Sequence, residues 1–249
     1  MTGKNKGFQF KQFYIEHSRC AMKVGTDSIM LGSWIEPAGA TNILDIGTGS
    51  GLLALMLAQK STSTAKILGI DIDHEAVEQA KVNGVNSPWA DKLSFVQLAA
   101  QELQTATHCC QSFDLIVSNP PYFPLNITAN QQNAPKADLS RIVARQTTSL
   151  LHTELLNYVN IHLSQSGCFY CVLPADCAEN FINYGALLGL HLEQQLLVQT
   201  QPAAKFTRVL LKFSRYKKEA QINRLTIYNK DKHYSDDYIS LCKAFYLAF

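Results

Sequence analysis

Four consecutive residues could activate an amino group: Asn119, Pro120, Pro121 and Tyr122 directly follow the apolar run FDLIVS. The nitrogen of a base or an amide is a poor nucleophile because its lone pair is delocalised. The side-chain oxygen of Asn119 can accept one N–H of such a group, and the Pro120 carbonyl can accept the other. Two acceptors localise the lone pair and aim it at an electrophile, which is catalysis by positioning and electrostatics. The prolines stiffen the loop, and Tyr122 offers an aromatic face to a planar target flipped from its stack.

A glycine-rich turn earlier in the chain predicts a binding site for a nucleoside cofactor. An apolar strand runs into LDIGTGSGLL, which contains Asp45, Gly47, Gly49 and Gly51 directly before a helix. Glycines at such a turn let the backbone bend sharply and let a ligand approach the main chain. A dinucleotide-binding turn has its third glycine one residue later, where this chain has Leu52. The observed spacing is typical of S-adenosylmethionine enzymes.

Asp71 ends the second predicted strand and is the expected ribose ligand. It follows the glycines by about twenty residues, where a carboxylate can accept hydrogen bonds from both ribose hydroxyls. Asp73 is the second candidate, because strand alternation puts it on the same face. The alternative for both motifs is a tight turn without a ligand. Their occurrence in one chain, each after an apolar strand, favours methyl transfer to an amino group.

Short apolar strands that alternate with helices predict an α/β fold. The strands are expected at residues 42–46, 66–71, 93–98, 113–117, 168–173, 191–198 and 206–213, and the helices at 51–60, 74–86, 148–163 and 178–188. Nearly all-apolar strands indicate a parallel sheet covered on both faces. The last two strands have no helix between them and should form an antiparallel hairpin. This is the Rossmann-like, seven-stranded sheet of class I methyltransferases, parallel with one antiparallel hairpin strand and with helices on both faces.

Length and composition favour a single domain. The chain has 249 residues, 47% of them hydrophobic and 17% charged, an ordinary globular balance. We expect one methyltransferase domain over residues 1–249, with an N-terminal helical flank (1–40), a catalytic core (41–215) and a basic C-terminal addition (216–249). No stretch is long and apolar enough to span a bilayer. The N-terminus lacks the apolar region of a secretory signal, so a cytoplasmic protein is expected.

The cysteines indicate neither disulfides nor a metal. Seven cysteines, an odd number without framework spacing, are typical of reduced thiols in a cytosol. Cys168 and Cys171 form a C-x-x-C, but they lie in GCFYCVLP, which reads as a buried strand. A zinc site would need a second Cys/His pair at matching spacing, so we expect no metal.

The charge distribution is uneven although the net charge is only +2. One stretch of the chain contains seven basic residues and only one acidic residue, Glu219. The basic residues are Lys205, Arg208, Lys212, Arg215, Lys217, Lys218 and Arg224. A clustered basic patch matters more for nucleic-acid binding than the total charge does. The alternative is an ordinary solvated face.

Beyond these motifs, the chain resembles the bacterial tRNA (adenine-N6)-methyltransferases that modify adenine 37 of valine tRNA. The resemblance covers nearly the full length. It rests on KQFYIEHSRCAMKVGTDSIMLGSW near the N-terminus, NSPWADKL after the second helix, and HYSDDYISLCKAFYLAF at the C-terminus. Amino-methyltransferases in general share the glycine loop and N-P-P-Y but not these stretches. The resemblance implies N6-methylation of an adenine in tRNA with S-adenosylmethionine as cofactor.

The same resemblance assigns residues to the site. It implies cofactor contacts at Asp45, Gly47, Gly49, Gly51 and Asp71, and a target-amino site at Asn119, Pro120, Pro121 and Tyr122. Lys23, Thr26 and Asp27 fall in a stretch that should fold over the methionine end of the cofactor. The alternative for that stretch is a helix start capped by Thr26 or Asp27.

One position departs from the family pattern. After the third strand, relatives carry an acidic residue that meets the adenine amino group of the cofactor. Here Ala99 or Ala100 stands where that residue is expected. Gln101, Glu102 or a backbone carbonyl is left as the candidate for this contact.

Other functions use the same chemistry and stay open at this point. A protein glutamine-N5 methyltransferase also uses N-P-P-Y, but it usually carries a longer N-terminal helical domain and needs no basic patch. A DNA adenine methyltransferase normally has a recognition insertion, for which residues 124–146 are too short. A non-enzymatic RNA-binding module would have no need of the glycines or Asn119. We expect a monomer, and we expect residues 124–146 to become ordered when RNA binds.

Overall fold

The computed structural model describes residues 7–20, 23–37, 39–103, 112–120 and 152–249. The strands are β1 (Gly7–Gln9), β2 (Tyr14–Glu16), β3 (Asn42–Ile46), β4 (Lys66–Asp71), β5 (Leu93–Gln97), β6 (Phe113–Ser118), β7 (Leu163–Pro174), β8 (His191–Gln199), β9 (Phe206–Ser214) and β10 (Gln221–Thr226). The helices are α1 (Thr26–Trp34), α2 (Leu52–Lys60), α3 (His74–Val85), α4 (His152–His162), α5 (Ala178–Leu187) and α6 (Asp236–Cys242). The predicted residues Pro121 and Tyr122, the segment 124–146 and the start of the helix predicted at 148–163 lie outside the described residues.

The main sheet has the predicted class I methyltransferase arrangement. Its strand order is β10-β8-β9-β7-β6-β3-β4-β5. The central strands from β7 to β5 pair in parallel, while β9 runs antiparallel to both β7 and β8. All seven predicted strands are present, and the predicted hairpin is formed by β8 and β9. The predicted fold class is confirmed.

An eighth strand extends the sheet beyond the seven that the pattern predicts. β10 comes from the C-terminal addition and pairs in parallel with β8, from Gln221 opposite Gln194 to Thr226 opposite Gln199. Leu225 is its only buried residue. An edge strand with one buried side chain lacks the continuous apolar run of a strand covered on both faces, which is why sequence reasoning missed it.

The N-terminal flank is only partly helical, so that part of the prediction is wrong. β1 and β2 form a separate antiparallel hairpin. Phe10 and Phe13 are buried at its turn, where the Phe10 N–H donates to the Phe13 carbonyl at 2.9 Å. The ring of Phe13 packs edge-on against Trp89, with centroids 5.8 Å apart. The buried rings of Phe10 and Phe13 therefore fix this segment against the core as a hairpin, and the helix begins only at Thr26.

Apolar side chains cover both faces of the sheet, and successive residues of a strand point to opposite faces. In β7, Tyr170 and Val172 face the side covered by α1, α2 and α3. Phe169 and Cys171 face the other side, covered by α4 and α5. Cys168 and Cys171 are free thiols on opposite faces, and burial raises the pKa of both. No helix in the described part of the chain is long and apolar enough to cross a membrane.

Candidate active site

The loop between β3 and α2 exposes its main chain through two glycines. Gly47 and Gly49 have φ angles of +74° and +54°, in the left-handed region that favours glycine. A Cβ added at either residue would have no atom within 4 Å. The loop therefore presents bare backbone to open space, as a ligand that approaches the main chain requires.

The third glycine serves packing instead. Gly51 has a φ of +81° and is the N-cap of α2. A Cβ there would lie 3.1 Å from the Phe95 ring and 3.2 Å from the Ala80 side chain. Gly51 thus lets α2 approach β5 and α3 closely, and it does not line the cavity described below.

Asp71 is tied to the glycine loop, whereas Asp73 caps a helix. One carboxylate oxygen of Asp71 accepts from the Gly49 N–H at 2.9 Å, and the other accepts from the Asp73 N–H at 3.0 Å. Each oxygen keeps a lone pair for a further donor such as a hydroxyl. The Asp73 side chain accepts from the Glu75 N–H at 2.9 Å at the start of α3. The geometry favours Asp71 over Asp73 as the ribose ligand.

Asp45 lies beneath the loop and is fully buried. Its Oδ2 accepts from the Thr48 hydroxyl at 2.7 Å. Burial raises the pKa of Asp45 to about 7, although the Thr48 hydrogen bond lowers it in part. Asp45 supports Thr48, which lines the cavity, and does not line the cavity itself.

A cavity of about 150 Å³ lies between three segments of the chain. Its walls are the stretch before and at the start of α1, the glycine loop with the start of α2, and the residues that follow β6. The lining residues are Lys23, Val24, Gly25, Asp27, Ser28, Gly47, Thr48, Gly49, Ser50, Leu52, Leu53, Asn119 and Pro120. The structure thus brings together the predicted residues Lys23, Asp27, Gly47, Gly49, Asn119 and Pro120, while Thr26, Asp45, Gly51 and Asp71 lie outside the lining.

The start of α1 is not capped in the way that the alternative interpretation suggested. Gly25 is the N-cap and supplies no side chain, so capping by Thr26 or Asp27 is wrong. Asp27 instead accepts from Arg208 Nε of β9 at 2.9 Å. This ion pair joins one wall of the cavity to the sheet.

Asn119 is placed by the end of β6 and by a residue that sequence reasoning missed. The Ser118 hydroxyl donates to the Ile46 carbonyl of β3 at 2.9 Å, which joins the ends of two neighbouring strands. Asn119 Nδ2 donates to Ser28 Oγ at 2.8 Å. Ser28 belongs to TDSIM, a segment for which the sequence offered only cap and cofactor interpretations.

The position that departs from the family pattern contains no acidic side chain turned inward. Ala100 is buried and Ala99 half-buried, while Gln101 and Glu102 are exposed on the 3-10 helix Ala100–Glu102. The residue that meets the cofactor adenine stays a prediction. Within the described ranges, no group of His, Cys, Asp or Glu side chains could hold a metal ion.

The predicted basic patch is divided between two edges of the sheet. Because β9 is antiparallel to β7, its start lies at the edge that carries Asn119, and its end lies at the opposite edge. Lys205 and Arg208 are therefore near the site, while Lys217 and Lys218 lie beyond the far end. The nine residues of β9 separate the two groups by roughly 25–30 Å.

Several of these charges are also compensated. Lys212 and Lys218 both contact Glu193, at 2.8 and 2.7 Å, and Arg208 pairs with Asp27. The guanidinium of Arg215 donates to the Asn160 side chain at 2.8 Å. The seven basic residues therefore form no single continuous patch, and the paired ones fit the ordinary solvated face of the alternative interpretation.

Comparison with known proteins places the chain among methyltransferases. A family profile described as a methyltransferase domain matches residues 38–162. The chain is similar to a solved predicted O-methyltransferase from Agrobacterium tumefaciens, with a TM-score of 0.66, 15% identity, and coverage of 88% of this chain and 96% of that one. At this identity the likeness concerns the fold alone.

Two curated relatives are much closer in sequence. A protein from Pseudoalteromonas atlantica is 47% identical over 99% of this chain and 100% of its own length. A protein from Pasteurella multocida is 41% identical over the whole of both chains. Both are named tRNA1(Val) (adenine(37)-N6)-methyltransferase. With its glycine loop, Asp71 and Asn119 arranged as described, the chain belongs to the family of tRNA1(Val) (adenine(37)-N6)-methyltransferases.

Proposed function

We propose that the protein transfers a methyl group from S-adenosylmethionine to N6 of an adenine in tRNA, at adenine 37 of valine tRNA. The observation that carries the proposal is the position of Asn119 and Pro120. They follow the end of β6 and line the same cavity as the bare backbone of Gly47 and Gly49. An acceptor pair for an amine and a binding loop for a nucleoside cofactor thus meet in one place. The names of the close relatives support the choice of substrate.

The described residues fit S-adenosylmethionine. The open space beside Gly47 and Gly49 leaves room for a ligand against the main chain, and the Asp71 carboxylate can accept from ribose hydroxyls. Lys23 and Asp27 on the opposite wall would hold the methionine end. When bound, the cofactor supplies a methyl group on a positively charged sulfur.

The chemistry of the chain itself is the orientation of the target amine. The Asn119 side-chain oxygen would accept one N–H and the Pro120 carbonyl the other. This pairing concentrates the lone pair on nitrogen along the direction of attack, so no residue has to abstract a proton beforehand. Pro121 would keep the two acceptors rigid, and Tyr122 would stack on the flipped adenine.

Other properties of the protein are part of the same proposal. The enzyme would act in the cytoplasm, where tRNA is modified, as a monomer and as one domain over residues 1–249. The segment 124–146 would become ordered on RNA binding. Protease sensitivity of this segment that is identical with and without substrate RNA would contradict that expectation.

The decisive experiment is methyl transfer from labelled S-adenosylmethionine to bulk tRNA that lacks its modifications, followed by nucleoside analysis. Label in N6-methyladenosine is the expected result. An unlabelled tRNA fraction with label in protein would overturn the proposal and favour the glutamine-N5 reaction. RNA binding should also weaken steeply with salt if cations of the protein pair with phosphates of the RNA, as the proposal requires.

Asn119→Ala is expected to lower the rate of methyl transfer by roughly 10²-fold or more, as the loss of one transition-state hydrogen bond does elsewhere. Cofactor binding should stay largely intact, because the glycine loop and Asp71 are unchanged. Asn42→Ala is the matched control, since Asn42 begins β3 at the opposite edge of the sheet. Full activity of the Asn119 variant would refute the mechanism.

A further inference from the structure

We propose that Ser28 is a positioning residue that holds the Asn119 carboxamide in place before the target amine binds. The inference rests on the proposed function and concerns the same site. It starts from one hydrogen bond, in which Asn119 Nδ2 donates to Ser28 Oγ at 2.8 Å. Both residues line the cavity.

A carboxamide needs such a partner if it is to serve as an acceptor. Its oxygen accepts hydrogen bonds and its nitrogen donates them, yet the two ends have nearly the same size and shape. Rotation by half a turn about the last side-chain bond would present N–H groups to the N–H groups of an amine. A partner that restricts this rotation before the amine binds therefore favours activation.

The hydrogen bond to Ser28 restricts this rotation, because the carboxamide must break it in order to turn. When Nδ2 is held against Ser28, the planar carboxamide directs Oδ1 away from α1. The backbone of Asn119 is held independently, because the neighbouring Ser118 hydroxyl donates to the Ile46 carbonyl at 2.9 Å. With the backbone fixed on one side and Nδ2 on the other, the acceptor oxygen has a defined direction before substrate arrives.

Ser28 is itself held on both sides along the chain. The preceding residue, Asp27, pairs with Arg208 of β9 at 2.9 Å. The following residue, Ile29, is buried in the core with 2% of its surface exposed. The start of α1 therefore cannot turn or slide freely, and the Ser28 hydroxyl is kept at the distance that Asn119 requires.

The test uses Ser28→Ala, Ser28→Thr and the control Ser33→Ala in the full-length protein. The first removes the hydroxyl and the second retains it. Ser33 lies on the same helix but does not line the cavity. Single-turnover methyl transfer measures the chemical step, and titration with S-adenosylmethionine measures cofactor affinity.

We expect Ser28→Ala to slow the chemical step roughly threefold to tenfold, the effect of one neutral hydrogen bond. Cofactor affinity and melting temperature should stay at wild-type values. Ser28→Thr should recover most of the rate, and Ser33→Ala should match the wild type. An unchanged rate in Ser28→Ala, a loss that matches a loss of cofactor affinity, or an equal defect in both Ser28 variants would each overturn the inference.

A second measurement does not depend on activity. The side-chain amide signals of Asn119 in a ¹⁵N NMR spectrum are identified by their disappearance in Asn119→Ala. They should shift in Ser28→Ala and stay in place in Ser33→Ala; unshifted signals in Ser28→Ala would contradict the contact. If tRNA is not methylated by the wild type but these signals respond as expected, the proposed substrate fails and the contact stands.

Discussion

At the scale of the residue, Asp45 is a fully buried carboxyl group whose ionisation is costly in the folded protein. Burial raises its pKa to about 7, whereas the ordinary value is 3.8. Between these values the unfolded chain is ionised and the folded chain is protonated. The free energy of unfolding therefore falls as pH rises through this window and levels off above about pH 7.

Asp45→Asn should remove this pH dependence. Asparagine can still accept from the Thr48 hydroxyl but carries no charge at any pH. Relative to the wild type, the variant should thus gain stability from pH 5 to pH 8, as measured by denaturant midpoints without cofactor. Parallel curves for the two proteins would show that Asp45 does not titrate in this range.

Asp114→Asn is the matched control, because the pKa of Asp114 is shifted the other way. Burial raises it, but hydrogen bonds from the Asn42 and Thr41 main chain and the Thr41 side chain lower it more. The stability that this carboxylate contributes is present above its unfolded pKa and is lost only as pH falls through the lower folded value. The stability difference for Asp114→Asn should be constant from pH 5 to pH 8.

Single residues also show how far the site could be predicted from sequence. The glycines, Asp71 and Asn119 were identifiable because each belongs to a spaced motif that follows an apolar strand. Ser28 was not, since its contact with Asn119 joins residues 91 positions apart and depends on how α1 crosses the sheet edge. Local spacing carries no information about such a contact.

At the scale of the element, the turn into α2 depends on Gly51. Alanine there would combine a φ of +81° with a Cβ 3.1 Å from Phe95. We expect Gly51→Ala to destabilise the protein by about 2–5 kcal/mol, the sum of a left-handed conformation and overpacking. Gly39→Ala is the control, because Gly39 has a φ of +78° but nothing within 4 Å of an added Cβ.

Comparing Gly51→Ala with Gly39→Ala separates the cost of the left-handed backbone from the cost of overpacking. Gly39→Ala should cost only the conformational part, about 1–2 kcal/mol. Chemical denaturation measures the free energy of unfolding of both variants. The slope of this free energy against denaturant concentration should be the same as in the wild type. Equal losses in the two variants would mean that the contact with Phe95 relaxes without cost and that the backbone alone requires glycine.

Strands were predictable from the sequence where both of their faces are buried, and they were ambiguous where few of their residues are buried. β3 and β4 have the predicted bounds, because a strand covered on both faces is apolar throughout. β10 has one buried residue, and the hairpin of β1 and β2 consists of two three-residue strands. Their positions depend on partners elsewhere in the chain, so pattern alone left them as flanks.

At the scale of the whole molecule, the fold rather than the sequence decides which cations can reach RNA at the site. Lys205 and Lys217 are twelve positions apart in the chain, and both are exposed. The antiparallel course of β9 puts Lys205 at the edge that carries Asn119 and Lys217 beyond the opposite edge. Because they are close in the sequence, the two lysines had been grouped in the same cluster of basic residues.

These two lysines form a matched pair for the last prediction. Lys205→Ala should weaken tRNA binding and reduce the slope of log affinity against log salt by about 1, because one phosphate contact is lost. Lys217→Ala should leave both quantities unchanged, since an RNA whose adenine occupies the cavity is held at the other edge. Filter binding over a range of salt concentrations measures both. A larger effect at Lys217 would mean that the RNA wraps across the sheet, and the binding surface would then include the opposite edge.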